Sequence, residues 1–320
     1  MHRRSLLAAP MLLAAPAARA QAWAPPRPMR IMVPLAPGGT ADTIARIVAD
    51  PMAAILGQPM LVENRPGGTG SVAAIAVARG PADGLTLLYC SPSIQILNPL
   101  MMRSIPYDAM ADFTPVVALM RAPKVLVVRP DFPARSVEEL IALARSRPGG
   151  LTYASAGIGS SAHLAGALLA QMAGIELLHV PYRGTAPGVQ DLMGGRVDMI
   201  LDTAAALLPL VREGRLRALA VSTREPADGL PGLPPIAATL PGFYDASFNY
   251  LVAAARTPPE AIAAINAAAN RVLAEPGVRA RFASLGAEPL GGTPQDLAAA
   301  VQEEITRWRG VITAQGITIE

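Results

Sequence analysis

The chain contains few of the residue types on which metal and redox sites depend. Cys90 is the only cysteine, and three histidines occur among 320 residues. A disulfide within the chain is therefore excluded, and neither HExxH nor CxxC spacing indicates a zinc site. We expect no cofactor and no metal, and we interpret Cys90 as a buried, inert thiol.

Long apolar runs and an excess of positive charge are also missing. Beyond residues 1–20, no segment offers the ~18 apolar residues, free of proline, glycine and charge, that indicate a membrane span. Residues 1–20 hold three of the 27 basic residues and none of the 24 acidic ones, so the remainder is formally neutral. No cluster of basic residues is interleaved with aromatics, which excludes a nucleic-acid partner. Lys124 is the only lysine, and we attribute this to genome composition.

Residues 1–20 have the pattern of a secretory signal peptide. Arg3 and Arg4 precede the apolar run 6–16, and a small-residue cleavage site ends at Ala20. Paired arginines also permit the twin-arginine export route. We therefore predict removal of this segment and a periplasmic mature protein.

Short apolar runs alternate with helix-length amphipathic stretches along the mature chain. This alternation predicts an α/β fold with mostly parallel strands. The predicted strands lie at residues 30–35, 60–63, 85–89, 116–119, 125–128, 151–154, 177–180, 197–201 and 216–222. The predicted helices lie at residues 40–56, 137–146, 160–172, 186–193, 259–274 and 294–314.

The alternation is interrupted at two places, which divide the chain into two predicted lobes. Proline, glycine and aspartate interrupt the pattern at residues 121–123 and again at 224–235. We expect the chain to cross between lobes at these places. Residues 21–122 plus 224–320 then form lobe 1, and residues 123–223 form lobe 2.

Two turns rich in glycine and hydroxyl side chains each follow a predicted strand and precede a predicted helix. In the first, Gly38 and Gly39 permit a tight turn, and Thr40 can cap the helix. In the second, residues 155–163, Ser160 and Ser161 stand at the helix start. The free N–H groups of a helix start attract anions. Either turn alone can be explained equally well as an ordinary capped turn or as an anion site. Two such turns, one from each lobe, would form a cleft that faces a single anion.

Two enzyme classes are alternatives to a binding cleft. Residues 68–73 and 157–162 imitate a dinucleotide fingerprint, but neither following strand ends in the acidic residue that binds ribose, which argues against NAD. Ser160 or Ser161 with His163 and Asp202 is a conceivable hydrolytic triad. The Gly-x-Ser-x-Gly elbow of such enzymes is missing, so a serine hydrolase remains only an alternative.

Eight ordered stretches of the mature chain match one known family. They are RIMVPLAPGGTAD (30–42), GQPMLVENRPGG (57–68), DGLTLL (83–88), IPYDAMADF (105–113), YASAGIGSSAHL (153–164), HVPYRGTA (179–186), GGRVDMILD (194–202) and LRALAV (216–221). On these residues the chain resembles the periplasmic solute receptors of tripartite tricarboxylate transporters, often called the Bug family.

The resemblance implies a type II periplasmic-binding-protein fold, in which two α/β lobes close on a ligand cleft about a hinge. It also implies that a ligand carboxylate is held largely by backbone groups. The ligand-binding residues carried over by position are Ala36, Gly38, Thr40 and Asp42 in the first turn, Ser155, Gly159, Ser160, Ser161 and His163 in the second, and Ser91, Ser93 and Asp202 at later strand ends.

Three departures from the family pattern concern the identity of the ligand. They are Ser91-Pro92-Ser93 where glycine is common, Arg183 where lysine is common, and Thr203 where asparagine is common. Asp202 could accept an ammonium group and Arg183 could pair with a second carboxylate, unless both are satisfied within the protein.

Together these patterns predict a monomeric, non-enzymatic receptor. We expect it to capture a dicarboxylate, tricarboxylate, amino acid or aromatic acid and to deliver it to membrane transporter subunits. The alternative is presentation of the ligand to a membrane sensor.

Overall fold

The computed structural model describes residues 23–35, 37–227, 230 and 232–319. The predicted signal peptide, residues 1–20, lies outside the described residues, as does Ala36. In the described part, the strands are β1 Met29–Val33, β2 Met60–Asn64, β3 Thr86–Cys90, β4 Phe113–Val128, β5 Leu151–Ser155, β6 Leu177–Pro181, β7 Met199–Thr203, β8 Arg217–Val221, β9 Ala246–Ala254 and β10 Glu288–Gly291.

The helices of the described part lie between these strands and after them. They are α1 Thr40–Leu56, α2 Ser71–Ala78, α3 Asn98–Met101, α4 Val137–Ser146, α5 Ser161–Ala173, α6 Thr185–Met193, α7 Ala204–Arg212, α8 Pro259–Ala274, α9 Pro276–Ser284 and α10 Pro294–Gln315. A π-helical turn, Ser93–Leu97, precedes α3. None of these helices combines the length and hydropathy needed to cross a bilayer.

The strands follow the order β2-β1-β3-β9-β4-β7-β5-β6, with β8 and β10 also paired to β4. At one end, β1 pairs in parallel with β2 and β3. At the other end, β5 pairs in parallel with β6 and β7. Because parallel strands need helical crossovers, these two groups account for the α/β alternation in the sequence.

The centre of this arrangement differs from the prediction of mostly parallel strands. Residues 116–119 and 125–128 were predicted as two strands, but both belong to the single 16-residue strand β4. As far as Pro123 this strand pairs antiparallel with β9, and from Lys124 onward it pairs antiparallel with β7 and β8. Two register shifts against β9 follow Pro115 and Ala118, and such irregularities let a strand accommodate a proline.

Two strands and several short helices were missed by the sequence patterns. Strand β9 contains three alanines and an asparagine, which have low strand propensity, yet it is buried between β3 and β4. Here the tertiary environment overrides local preference. Strand β10 spans four residues and is added at the edge of β4, where a short strand leaves little periodicity to recognise.

Helix α10 closes the molecule. It begins with a capping box, in which the Thr293 hydroxyl and the Asp296 carboxylate each accept a hydrogen bond from the other's backbone N–H. Its buried face includes Val301 and Trp308, and these residues pack in the core cluster that also holds Tyr250 of β9. The helix contacts both β4 and α5, so it bridges the two groups of strands.

Candidate functional site

A cavity of about 570 Å³ lies between the two groups of strands. One wall is formed by the loops after β1, β2 and β3, and the other by the loop after β5 and the start of α5. The lining is completed by residues 245–249, at and just before the start of β9, by two side chains of α10, and by Lys124 and Ile319. This volume falls within the range of roughly 300–1,000 Å³ found for small-molecule sites.

The wall after β5 is a glycine and serine turn that ends in a capped helix. Ser160 is the N-cap of α5, and its hydroxyl accepts a hydrogen bond from the His163 backbone N–H at 3.3 Å. Gly159 has a φ of +74°, and a Cβ there would lie 2.4 Å from Ile319 Cδ1. The backbone therefore approaches Ile319 more closely than any side chain would allow. Gly159, Ser160 and Ser161, three of the predicted ligand-binding residues, all line the cavity.

A pair of stacked histidines supports this turn from behind. The rings of His163 and His179 lie 3.8 Å apart and are nearly parallel. His163 Nδ1 accepts a hydrogen bond from the Gly159 backbone N–H at 3.1 Å, and the Ser155 hydroxyl lies 2.6 Å from His179 Nε2. Ser155 and His163 thus support the turn and are not among the lining residues of the cavity.

Both histidine rings are held in the neutral form. Desolvation lowers the pKa of His163 and lowers the pKa of His179 to about 4, with a further lowering of the latter by the neighbouring His163. His163 Nδ1 must be unprotonated to accept from Gly159. The His163 imidazole therefore accepts a hydrogen bond from the loop backbone and stacks on His179. A general base would instead accept a hydrogen bond from the hydroxyl of Ser160 or Ser161.

Most of the predicted ligand-binding residues of the turn after β1 lie off the cavity wall. Pro34 and Leu35 line the cavity, whereas Gly38, Gly39, Thr40 and Asp42 are not among its lining residues. Gly39 is the N-cap of α1 and Thr40 its first residue, so both shape the helix start.

Asp42 has a structural role in this turn. It accepts hydrogen bonds from the Arg46 guanidinium at 3.1 Å and from the Gly38 backbone N–H at 3.0 Å. The Arg46 contact, followed by the Gly38 N–H, lowers the pKa of the Asp42 carboxyl group. Asp42 thus fastens the turn to the first helical residues instead of presenting its charge to the cavity.

The loop after β3 contributes hydroxyl groups to the lining. Ser91 and Ser93, both predicted to bind the ligand, lie on the cavity wall. Asn98, at the start of α3, donates to the Thr69 carbonyl at 3.2 Å and to the Tyr107 hydroxyl at 3.4 Å. Asn98 and Thr69 were missed by the sequence analysis although both line the cavity. Their side chains carry no motif, and a π-helical turn such as Ser93–Leu97 leaves no simple periodicity.

Asp202 and Arg183 lie away from the cavity. The buried Asp202 carboxylate accepts from the Thr185 hydroxyl and from the Thr203 backbone N–H, both at 2.7 Å. Asp202 is thus satisfied within the protein. Arg183 is exposed after β6 and is not a lining residue. Neither of these two predicted ligand-binding residues therefore lies on the wall of this cavity.

The most important residues missed by the sequence analysis are Lys124 and Asp245. Both line the cavity, and their side chains form a salt bridge in which each is only 1% exposed. Lys124 Nζ also donates to the Ser161 carbonyl at 3.2 Å. The sequence did contain a signal for Lys124, because a single lysine in an arginine-rich chain is unusual. We attributed this lysine to genome composition and so missed its place on the cavity wall.

Ser222 connects the two places where the chain passes between the groups of strands. Its hydroxyl accepts from the Lys124 backbone N–H at 2.8 Å and donates to the Asp245 carbonyl. The backbone N–H of Asp245 donates to the Ser222 carbonyl at 3.0 Å. Lys124, Ser222 and Asp245 are all buried and form a compact polar junction behind the cavity.

Comparisons with known proteins agree with this architecture. A sequence model of the family described as "Tripartite tricarboxylate transporter family receptor" matches residues 44–317. A protein of Pseudomonas sp. strain P51, from the tcbD-tcbE intergenic region, is 40% identical over 90% of this chain and 86% of its own length. Protein BugT of Bordetella pertussis is 36% identical over 92% of this chain and 91% of its own length.

Two solved structures show the same fold with ligands. The R. palustris protein Rpa4515 with adipate is 39% identical, with a TM-score of 0.81 over 92% of this chain and 99% of its own. MatC of Rhodopseudomonas palustris with bound malate is 35% identical, with a TM-score of 0.75 over 90% and 99% of the two chains. The sulphonate-binding protein SsuA of Escherichia coli, at 14% identity and a TM-score of 0.52 over 92% and 89%, shares the fold alone.

Proposed function

The chain belongs to the tripartite tricarboxylate transporter receptor family, and from that premise we propose that it captures a small carboxylate reversibly in the cavity described above. It is a solute receptor with the mixed α/β fold of periplasmic binding proteins. The family is one of receptors and not of enzymes. The structural neighbours with adipate and malate support a carboxylate as the class of ligand.

The observation that carries this proposal is the chemistry of the two facing walls. One wall presents Ser160 and Ser161 at the start of the 13-residue helix α5, and the other presents the hydroxyls of Ser91 and Ser93. Hydroxyl groups and the free N–H groups of a helix start donate hydrogen bonds to an anion. A carboxylate placed between these walls can accept bonds from both sides at once.

The proposed mechanism is hinged closure. The pairing of β4 changes partners between Pro123 and Lys124, which we propose as one lobe crossing, and the return crossing lies between Val221 and Ala246. Capture then draws the two walls together around the ligand. We further propose that residues 1–20 export the protein to the periplasm, where a monomer hands its ligand to membrane transporter subunits.

A ligand screen tests the proposal. Purified mature protein, unfolded and refolded to remove any carried ligand, is titrated with mono-, di- and tricarboxylates, amino acids and aromatic acids. A ligand at 100 times its Kd adds about 2.7 kcal/mol to the free energy of unfolding, which shifts the melting temperature by several degrees. A response to at least one of these carboxylates supports the proposal, whereas no response to any of them refutes it.

A pair of matched variants locates the site. Ser160 and Ser136 each cap a helix by accepting a hydrogen bond from the backbone N–H three residues on. Aspartate caps about as well as serine, so Ser160→Asp and Ser136→Asp should both fold with little loss of stability. Only Ser160→Asp adds a negative charge to the cavity wall, so it alone should abolish carboxylate binding. Equal binding by the two variants would place the ligand elsewhere.

A further inference from the structure

The charged side chains that line the cavity are already paired with one another or with neighbours. Lys124 is bonded to Asp245, and the Glu304 carboxylate accepts from the Arg307 guanidinium and from Trp308 Nε1 at 2.9 Å. Among the described residues that line the cavity, Lys124 is the single cation. Its charge is matched by Asp245, and therefore the walls offer no spare cation for a second carboxylate.

The remaining lining includes four neutral polar residues, Thr69, Asn98, Ser247 and Asn249, and is otherwise largely apolar. Leu97 and Leu164 lie on opposite walls, while Phe248 and Trp308 line the cavity from β9 and α10. The side chains of Phe248 and Trp308 are packed into the core, so each is fixed in place. A second carboxylate lying against these apolar side chains would lose hydration without gaining a cation, and it would also meet the carboxylate of Glu304.

Two exposed apolar side chains flank the cavity from opposite walls. Leu35, in the loop after β1, is 54% exposed, and Ile158, in the loop after β5, is 60% exposed. Both line the cavity. Exposed large apolar side chains beside a ligand site indicate an apolar partner. A ligand with an apolar surface would cover both of these side chains.

We infer that this receptor selects carboxylates with one anionic end and an apolar alkyl or aryl body, and that Leu35 and Ile158 clamp that body. The inference rests on the proposed function and narrows its ligand class. The hydroxyl and backbone donors of the serine-containing walls receive the carboxylate. The paired charges and apolar surfaces then favour a body without a second charge.

Matched pairs of acids test this selectivity by isothermal titration calorimetry. Hexanoate and adipate share a six-carbon chain and differ only in a terminal methyl or carboxylate group. Benzoate and terephthalate form the corresponding aryl pair. We expect at least one monoacid to bind, and to bind at least tenfold more tightly than its diacid partner. Tighter binding of adipate and terephthalate, or of malate or citrate, would overturn the inference while leaving the receptor function intact. No binding by any of these acids would count against the receptor function itself.

The proposed clamp is tested by Leu35→Asn and Ile158→Asn. Each should weaken binding of the preferred monoacid severalfold without lowering the melting temperature of the free protein, because both side chains are already exposed. Leu61→Asn is the matched control, since Leu61 is 61% exposed and does not line the cavity. Its affinity should stay unchanged. If the two cavity variants bind as Leu61→Asn does, the clamp assignment is wrong.

Discussion

At the scale of single residues, Lys124 and Asp245 show how a buried ion pair can be retained at a ligand site. Their side chains are each 1% exposed, and Lys124 also donates to the Ser161 carbonyl near the start of α5. Removing both charges from water is costly, and only their mutual contact and added hydrogen bonds offset that cost. The pair therefore connects the crossing point of the chain to the helix proposed to receive the ligand.

Breaking this pair should be strongly destabilising. Lys124→Met leaves the Asp245 carboxylate buried without its partner, and we expect a loss of about 3–5 kcal/mol in the free energy of unfolding. The double variant Lys124→Met/Asp245→Leu should recover most of that loss because no charge remains unpaired. Urea denaturation measures both.

A surface ion pair provides the control for this prediction. Arg215 and Glu213 form a salt bridge with side chains 51% and 57% exposed. Arg215→Met should cost less than about 1 kcal/mol, as solvent screens such pairs. A loss in Lys124→Met no larger than that in Arg215→Met would contradict the role given to the buried pair.

The stacked histidines make stability depend on pH in a known direction. The folded-state pKa of His179 is about 4, below the ordinary histidine value of 6.5, so between these values the unfolded chain binds the extra proton. Stability from this group is fully present above pH 6.5 and is lost as the pH falls towards 4. Because the ring is partly exposed, we expect a loss of only about 1–2 kcal/mol over that range.

The comparison that isolates this effect is the wild type against His179→Phe. Phenylalanine keeps an aromatic ring against His163 but cannot be protonated. Burial raises the pKa of Glu304, and a carboxyl group shifted upward favours the folded state as the pH falls, so the absolute curve mixes opposing effects. Urea denaturation at pH 7.5, 6.5, 5.5 and 4.5 should show a smaller decline for His179→Phe. Parallel curves would rule out His179 as the source.

At the scale of secondary-structure elements, the start of α5 is set by its support as much as by its own sequence. Ser160 caps the helix, while the turn before it is held through Gly159 to His163. Gly166, one turn further on, lets the helix approach Tyr153 of β5 so closely that a Cβ would lie 2.2 Å from the ring. The helix thus lies directly against the strand that precedes the turn.

This close contact predicts opposite effects for two helical glycines. Gly166→Ala should destabilise the protein by about 1–3 kcal/mol, because the added methyl group overpacks the contact with Tyr153. Gly310→Ala, in α10, should stabilise it by about 0.5–1 kcal/mol, since Gly310 is exposed and a Cβ there meets no atom within 4 Å. Thermal denaturation of the two variants distinguishes them. A gain in stability for Gly166→Ala would contradict the close packing of α5 on β5.

For the molecule as a whole, the proposed hinge closure makes ligand capture a change of shape, because the cavity lies between the two groups of strands. Lys124, Ser222 and Asp245 hold the crossings together on one side of the cavity, and the two walls project from that junction. Closure of the walls on a ligand would shorten the molecule without altering its strands.

Small-angle scattering tests this expectation directly. A saturating amount of the best ligand from the carboxylate screen should lower the radius of gyration, and the same titration should change tryptophan fluorescence because Trp308 lines the cavity. Trp23 is the other tryptophan, so Trp23→Phe should retain the fluorescence change. An unchanged scattering curve at saturation would show that capture proceeds without hinge closure.

Features that depend on neighbouring residues could be predicted from the amino-acid sequence. The bounds of α1, α4 and α8 were predicted to the residue, because amphipathic spacing, caps and prolines are local signals. The family, and with it the fold and the receptor function, followed from ordered stretches along the chain. Gly159, Ser160 and Ser161, which lie within one of these stretches, line the cavity, and so do Ser91 and Ser93, which lie outside all of them.

Contacts between residues far apart in the chain could not be predicted from the sequence and depend on the fold. Strand β9 forms because β3 and β4 flank it, although its alanines favour no strand. Lys124 and Asp245 lie 121 positions apart, and no spacing rule connects them. Asp42 and Asp202, predicted to face a ligand, instead bond to their own surroundings. The reason is that a local pattern fixes where an element begins, whereas the order of strands in the sheet fixes which side chains share a cavity.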